Sequence, residues 1–257
     1  MSTLDYLIEH LIKERPELGD IEMPMDDRDR FRLYRSLVNI RPAMPADDEY
    51  LSAEEEYLKG LTREKGITEL SDLTPNKEGL YLWQGDITTL RCEAIVNAAN
   101  SGMTGCWQPC HSCIDNCIHT FAGVGLRLEC DSLMRAQGHE EPTGRAKLTR
   151  AYALPCRYVI HTVGPIVRGP LNDEHRRLLS SSYQSCLELA VQENVQSIAF
   201  CCISTGVFGF PQEAAAEIAV STVHRFRETS DITVIFNVFT DRDRDIYERL
   251  LFPMHNA

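Results

Sequence analysis

The chain has 257 residues, 43% of them hydrophobic and 25% charged, which suits a soluble globular protein of one large domain or a domain with an appendage. Its formal net charge of −12 argues against general nucleic-acid binding, because a phosphate backbone rewards a basic face. No apolar run approaches the roughly 20 residues of a membrane span, and Met1-Ser2-Thr3-Leu4-Asp5 does not read as a secretory leader, so the ten cysteines are expected in a reducing cytoplasm.

Acidic residues crowd the first part of the chain. Residues 1–75 hold 18 Asp and Glu against 10 Lys and Arg, and the remainder holds 20 against 16. Leu4, Leu7, Ile8, Leu11 and Ile12 form the stripe of an amphipathic helix. A second helix is predicted over Arg28–Val38, with Phe31, Tyr34, Leu37 and Val38 on one face, and Arg41-Pro42-Ala43-Met44-Pro45 ends it. A third is predicted from Ala53 to about Lys65 with Ser52 as its cap. Residues 1–75 are therefore expected to form a helical extension, and 76–257 a second unit. Short β-rich runs follow at Leu80–Trp83, Ala94–Ala98, Tyr158–Val163, Ile198–Ile203 and Ile232–Phe239. Helical patterns lie between the later runs, one carrying Leu179, Tyr183 and Leu187, another Ala215, Ala219 and Phe226. Strands alternating with helices predict an α/β domain whose sheet is covered on both faces.

The densest chemistry is Cys106-Trp107-Gln108-Pro109-Cys110-His111-Ser112-Cys113-Ile114-Asp115-Asn116-Cys117. Thiolate with imidazole favours zinc. Cys106, His111 and Cys113 would supply three ligands from one loop, leaving a fourth position for water or substrate. Two plainer readings stay open: Cys110 or Cys117 closing a structural site, or thiols that are unligated or form a redox pair. The other six cysteines lie on or beside apolar patterns and read as small core residues.

Several strand ends carry polar or glycine residues, and in an open α/β sheet ligands bind beyond the carboxyl ends of strands. Asp86, after the first strand, could accept a hydrogen bond from a ligand amine or merely cap a turn. Asn97-Ala98-Ala99-Asn100 offers amides at the end of the next strand. Phe121-Ala122-Gly123-Val124-Gly125 reads as a glycine-bearing loop before a helix. Ile203-Ser204-Thr205-Gly206-Val207-Phe208-Gly209-Phe210-Pro211 follows a buried strand and opens a helix, with Pro211 suited to the first helical position. Its glycines would let backbone N–H groups converge on an anion, and no Gly-Lys-Ser/Thr of the usual phosphate loop is present.

Gln84-Gly85-Asp86-Ile87-Thr88, Ile95-Val96-Asn97-Ala98-Ala99-Asn100, His161-Thr162-Val163-Gly164-Pro165 and Ile203-Ser204-Thr205-Gly206-Val207-Phe208-Gly209, in that order, resemble the signature of the macrodomain family. The Cys106/His111/Cys113 insertion resembles its zinc-dependent bacterial branch, associated with sirtuin-like ADP-ribosyltransferases and a lipoyl-carrier protein. The resemblance implies a three-layer α/β/α sandwich with a site for ADP-ribose, to which the periodicity of residues 1–75 adds an N-terminal helical extension. By motif, Asp86 and Ile87 would hold adenine; Gly123 and Val124, with Ser204, Thr205, Gly206, Val207 and Phe208, would embrace the diphosphate. Asn100 would face the distal ribose beside a zinc ion on Cys106, His111 and Cys113. Asp115 is a candidate base or orienting partner, with capping equally open. Phe239 resembles an aromatic near adenine, with a core role equally open. The implied activity is zinc-dependent hydrolysis of mono-ADP-ribose from a protein side chain, an Asp or Glu ester. A non-catalytic ADP-ribose-binding module, an O-acetyl-ADP-ribose deacetylase and a structural zinc scaffold are the rivals.

Overall fold

The computed structural model describes residues 2–253. Three helices come first: α1 (Thr3–Lys13), α2 (Asp27–Ile40) and α3 (Asp48–Lys65). Each opens on a side-chain cap that satisfies an amide with no partner inside the helix. Ser2 and Asp5 form a reciprocal capping box on α1, and Asp26 accepts the Asp29 amide on α2. The third helix starts five residues before the expected Ala53. Asp47 is its cap, accepting the Tyr50 amide at 2.7 Å, and Ser52 lies inside the helix. A carboxylate cap also complements the helix dipole, which a neutral hydroxyl does less well.

The remaining elements are β1 (Thr68–Glu69), β2 (Leu80–Gln84), β3 (Leu90–Arg91), β4 (Ala94–Ala98), α4 (Ile114–Ala122), α5 (Val124–Gln137), β5 (Ala146–Arg150), β6 (Tyr158–Thr162), α6 (Asp173–Gln192), β7 (Ser197–Phe200), α7 (Gln212–Arg227), β8 (Thr233–Val238) and α8 (Asp241–Leu251). Strands β1 and β3 form a two-residue parallel pair. The main sheet runs β2-β8-β7-β4-β6-β5, parallel throughout except for β5, which is antiparallel to β6. Its central strands are apolar on both faces, with Ile95, Val96, Val159, Ile160, Ile198, Ala199, Val234 and Ile235 all buried. That is the pattern of a sheet covered by helices on both sides. Helices α6, α7 and α8 pack side by side as one layer, and α4 and α5 belong to the other. The architecture is a three-layer α/β/α sandwich with N-terminal helices.

Strands β1, β3 and β5 and helices α4 and α8 lie outside the sequence expectations. Edge strand β5 has an alternation too polar to stand out, and α8 has only Ile246, Tyr247, Leu250 and Leu251 as apolar positions. Pro211 is the cap of α7 and Gln212 its first residue, one position from the expectation.

Buried apolar residues of α1–α3 share one continuous core with the sheet. Its polar tie is Glu54 of α3, which is buried and accepts hydrogen bonds from Tyr34 Oη (2.7 Å), Tyr50 Oη (3.0 Å) and the Val124 amide at the start of α5 (2.8 Å). Burial raises its carboxyl above the usual carboxylate range, outweighing those donors. Glu54→Ala removes the acceptor of three buried donors and is expected to cost about 3–5 kcal/mol of stability, read by urea denaturation. Because the folded value is raised, ionisation of Glu54 opposes folding. That penalty is absent well below the unfolded value near 4.5 and grows as pH rises through it. Glu54→Gln should therefore flatten the loss of stability across that window.

Candidate active site

In a parallel sheet the carboxyl ends of the strands share one edge, so the segments after β2, β4, β6, β7 and β8 meet there. Asn97 of β4 lies beside His161 of β6 in register, and both are wholly buried. Asn97 Nδ2 donates to Asp115 Oδ1 at 2.8 Å and lies 3.1 Å from His161 Nδ1. Asn100, just past β4, donates from Nδ2 to Asp115 Oδ2 at 3.2 Å and to the Gly105 carbonyl at 3.0 Å, while its Oδ1 accepts the Gly102 amide. Two amides thus grip the Asp115 carboxylate, which is 5% exposed. Burial raises it to about 6, and Asn97, the Arg127 guanidinium and Asn100 hold it from going further. One turn along α4, His119 Nε2 is 3.6 Å from Asp115 Oδ1. Neither ring nitrogen of His119 has a hydrogen-bond partner among the described residues, and burial keeps the ring neutral.

The loop joining β4 to α4 carries the cysteines. Cys106, His111 and Cys113 bring their ligand atoms within 4.8 Å of one another. Cys106 Sγ and His111 Nδ1 are 3.6 Å apart. Ligands at typical zinc–sulfur and zinc–nitrogen lengths, in tetrahedral geometry, stand about 3.5 Å apart, so this donor set fits a zinc ion. Without a cation, burial and the neighbouring Cys106 thiol push Cys113 up to about 12; a bound metal reverses that balance. Cys110 and Cys117 are not in the set. Cys110, at a positive φ of 54°, donates its thiol to the Arg32 carbonyl at 3.3 Å, and Cys117 Sγ lies 3.5 Å from Arg35 Nη2.

Other expected residues divide. Asp86 caps the turn Ile87–Thr89, accepting from the Thr88 amide and hydroxyl, and also pairs with Lys65 Nζ at 3.1 Å. Its carboxyl is held below the usual range despite burial, by Thr88 and Lys65. Ile87 is 1% exposed, main chain and side chain together, and its carbonyl accepts the Leu90 amide. The loop after β7 is tied back by Phe210 N to Ser204 O and Gly209 N to Gly206 O, both at 3.0 Å, and leaves Gly206 and Val207 exposed. Ser204 has a positive φ of 66° and packs so closely on Gly164 that a Cβ there would collide with its hydroxyl. Phe239, after β8, is exposed rather than core.

Gly123 and Val124 are a correction. The segment 121–125 is no loop: it is the junction of α4 and α5. It sits at the far end of α4 from Asp115, about 13 Å along the axis at 1.5 Å per residue. The Val124 amide is already taken by Glu54, and Glu54 Oε2 lies 2.5 Å from where a Cβ on Gly123 would stand. A buried carboxylate on that amide leaves no donor for a diphosphate and repels one. The connection beyond the carboxyl end of β4 is instead the cysteine-bearing one, at the opposite end of α4 from the expected glycine-bearing loop at 121–125.

Sequence reasoning also passed over Asn97, His119, Arg127, Arg35 and Asn116. Arg127 Nη1 bonds the carbonyls of Val38, Asn39 and Arg41 while its guanidinium lies 4.2 Å from the Trp107 ring. Single polar residues inside helices carry no periodic signal; Asn97 and Asn116 stand within quoted motifs, but no role attaches to either from the sequence.

A sheet of this order, with a carboxylate and a metal-ligand set beyond its central strands, defines an α/β ligand-binding fold with a candidate hydrolytic centre. The Macro domain family model matches residues 96–219. Protein-ADP-ribose hydrolase of Treponema medium is 54% identical over 252 residues, 96% of this chain and 97% of its own. Protein-ADP-ribose hydrolase of Staphylococcus aureus (strain MRSA252) is 51% identical over 249 residues, 95% of this chain and 93% of its own. The Trypanosoma brucei macrodomain in complex with ADP-ribose superposes with a TM-score of 0.64 at 29% identity, covering 84% of this chain and 94% of that one. The chain belongs to the Macro domain family.

Cys113→Ala is expected to abolish zinc binding, read as metal per chain after dialysis, whereas Cys110→Ala and Cys117→Ala retain one zinc. Loss of metal from either of the latter would contradict the three-residue set.

Proposed function

We propose that this protein is a zinc-dependent hydrolase that removes mono-ADP-ribose from modified protein side chains, with an Asp or Glu ester as the bond broken. The hydrolase activity is supported by relatives of over half identity that bear the name protein-ADP-ribose hydrolase. The observation that carries the mechanism is local. One connection, from β4 to α4, holds the Asn100–Asp115 pair and the Cys106, His111 and Cys113 donors together at the carboxyl edge of the sheet.

In this reading the Asp86 carboxylate and Ile87 receive adenine, and Phe239 offers its exposed ring alongside. The Ser204–Phe208 loop takes the diphosphate on its backbone N–H groups. The first amides of α4, at Ile114 and Asp115, have no partner within the helix and add positive potential to the same edge. They take the role first expected of Gly123 and Val124. Asn100 orients the distal ribose hydroxyls, with its own position fixed by Gly102, Gly105 and Asp115.

Zinc held by Cys106, His111 and Cys113 would supply Lewis acidity at the distal ribose or ester oxygen and make hydroxide available near neutral pH. Asp115 Oδ2 takes a proton from the attacking water and returns it to the ribose oxygen that leaves the ester carbonyl, while Asn97 holds Oδ1 and fixes the plane of the carboxylate. Arg127, buried behind, keeps the local charge balanced. The protein substrate, for which a lipoyl carrier modified by a sirtuin-like transferase is a candidate, and a cytoplasmic site of action belong to the same proposal.

The test is release of ADP-ribose from a protein carrying it on an acidic side chain, read by mass spectrometry. Metal-free protein should be inactive and regain turnover with zinc; full turnover without metal refutes the mechanism. Asp115→Asn should lower kcat by about 10²–10⁴-fold while ADP-ribose affinity changes little. Asp86→Ala should weaken ADP-ribose binding about tenfold or more by calorimetry, the loss of a hydrogen bond to a charged group.

A further inference from the structure

The ligand residues Cys106, His111 and Cys113 lie in a connection without strand or helix, yet each is tied at its own atoms. The His111 carbonyl accepts from Arg35 Nη2 at 2.6 Å. The Cys113 thiol accepts the Asn116 amide at 3.5 Å, and the Cys106 carbonyl accepts Asn116 Nδ2 at 3.5 Å. Asn116 Nδ2 also donates to the Gln108 carbonyl at 2.9 Å. Asn116 is wholly buried, and its Oδ1 receives both Arg35 Nη2 (2.8 Å) and Arg35 Nε (3.1 Å). One turn further along α2, on the same face, Asn39 Oδ1 accepts the Cys110 amide at 2.9 Å and Asn39 Nδ2 donates to Thr120 Oγ1. All of these α2 contacts fall on the segment 110–120.

We infer that Arg35 of α2, acting through Asn116, is the positioning residue of the Cys106–His111–Cys113 metal set, which makes the N-terminal helices a working part of the metal centre. The physical reason is entropic. A flexible loop that must gather three donors on binding a cation loses chain entropy at that moment, whereas a loop held beforehand does not. The planar guanidinium suits this task. It reaches a carbonyl and an amide oxygen together from a rigid fork, which a lysine ammonium cannot match. The inference rests on the reading that these three residues bind a metal.

Zinc affinity and zinc release test it on the full-length protein, by competition with a chromogenic chelator and by stopped-flow transfer to excess chelator. Wild type is expected to bind one zinc per chain. Arg35→Lys and Arg35→Ala should bind zinc about 10–100-fold more weakly, the range for loss of an outer partner of a ligand, with faster release. Circular dichroism of the metal-free variants should match wild type, and the rise in Tm on adding zinc should shrink in both. Arg28→Ala, an exposed arginine on the same helix, should bind zinc as wild type does. If Arg35→Ala fails to fold, Arg35→Lys decides. Wild-type zinc affinity in Arg35→Lys overturns the inference, as does a lowered Tm without zinc accompanied by unchanged affinity. Failure of wild type itself to bind zinc overturns the earlier reading instead, and the two failures are thereby distinguishable.

Discussion

Fifteen residues carry the chain from the carboxyl end of β4 to the first turn of α4, and on the proposed reading the same stretch also holds three metal-ligand atoms and a ribose-facing amide. Irregular backbone cannot do this unaided, because its amides and carbonyls compete for water and its dihedrals are free. The stretch is fixed from both sides. Asn100 ties its beginning to Gly102 and Gly105, and Asn116, gripped by Arg35, ties its end. Remove the buried polar brackets and neither the Asp115 carboxylate nor the cysteines have a defined place.

This constraint explains why the N-terminal helices are fused into the core rather than appended to it. Tyr34, Leu37 and Val38 bury the apolar face of α2, while Arg35 and Asn39 reach the cysteine-bearing loop. Glu54 of α3 performs a matching task at the other end of α4, capping α5 and so fixing the junction at Gly123. A single short helix, α4, is therefore held at its amino end by α2 and just beyond its carboxyl end by α3. Asp115 sits in its first turn and His119 one turn on, between these two supports. In the proposed reading the overall acidity of the chain is compatible with an anionic ligand because the Ser204–Phe208 loop and the first turn of α4 offer it backbone N–H groups. Of the two carboxylates described there, Asp86 is met by Lys65 and Asp115 is gripped by Asn97 and Asn100.

The sheet and most helices were legible in the sequence because burial on both faces writes long β-branched runs, and amphipathic stripes write helices. Ala94–Ala98 was read to the residue. The cysteine spacing singled out the three donors that the fold does bring together. Illegible parts were those set by tertiary polar contacts. Asp47 outcompeted Ser52 as a cap, and the role assigned to Gly123 and Val124 failed because a glycine between two helical patterns looks the same in sequence as a phosphate-cradling turn. The partner that decides between them, Glu54, lies about seventy residues away. Arg35, Asn97, Asn116 and Arg127 are likewise single polar residues whose meaning comes only from what they meet.

The centre stands or falls on where a metal sits relative to the sugar nucleotide. The most direct measurement is a crystal structure of the zinc-loaded protein with ADP-ribose, with the metal located from anomalous differences at the zinc edge. A peak bounded by Cys106 Sγ, His111 Nδ1 and Cys113 Sγ, with its fourth position facing the distal ribose beside Asn100 and Asp115, is the predicted result. A peak closed by the sulfur of Cys110 or Cys117, or a distal ribose bound away from the metal, would contradict it.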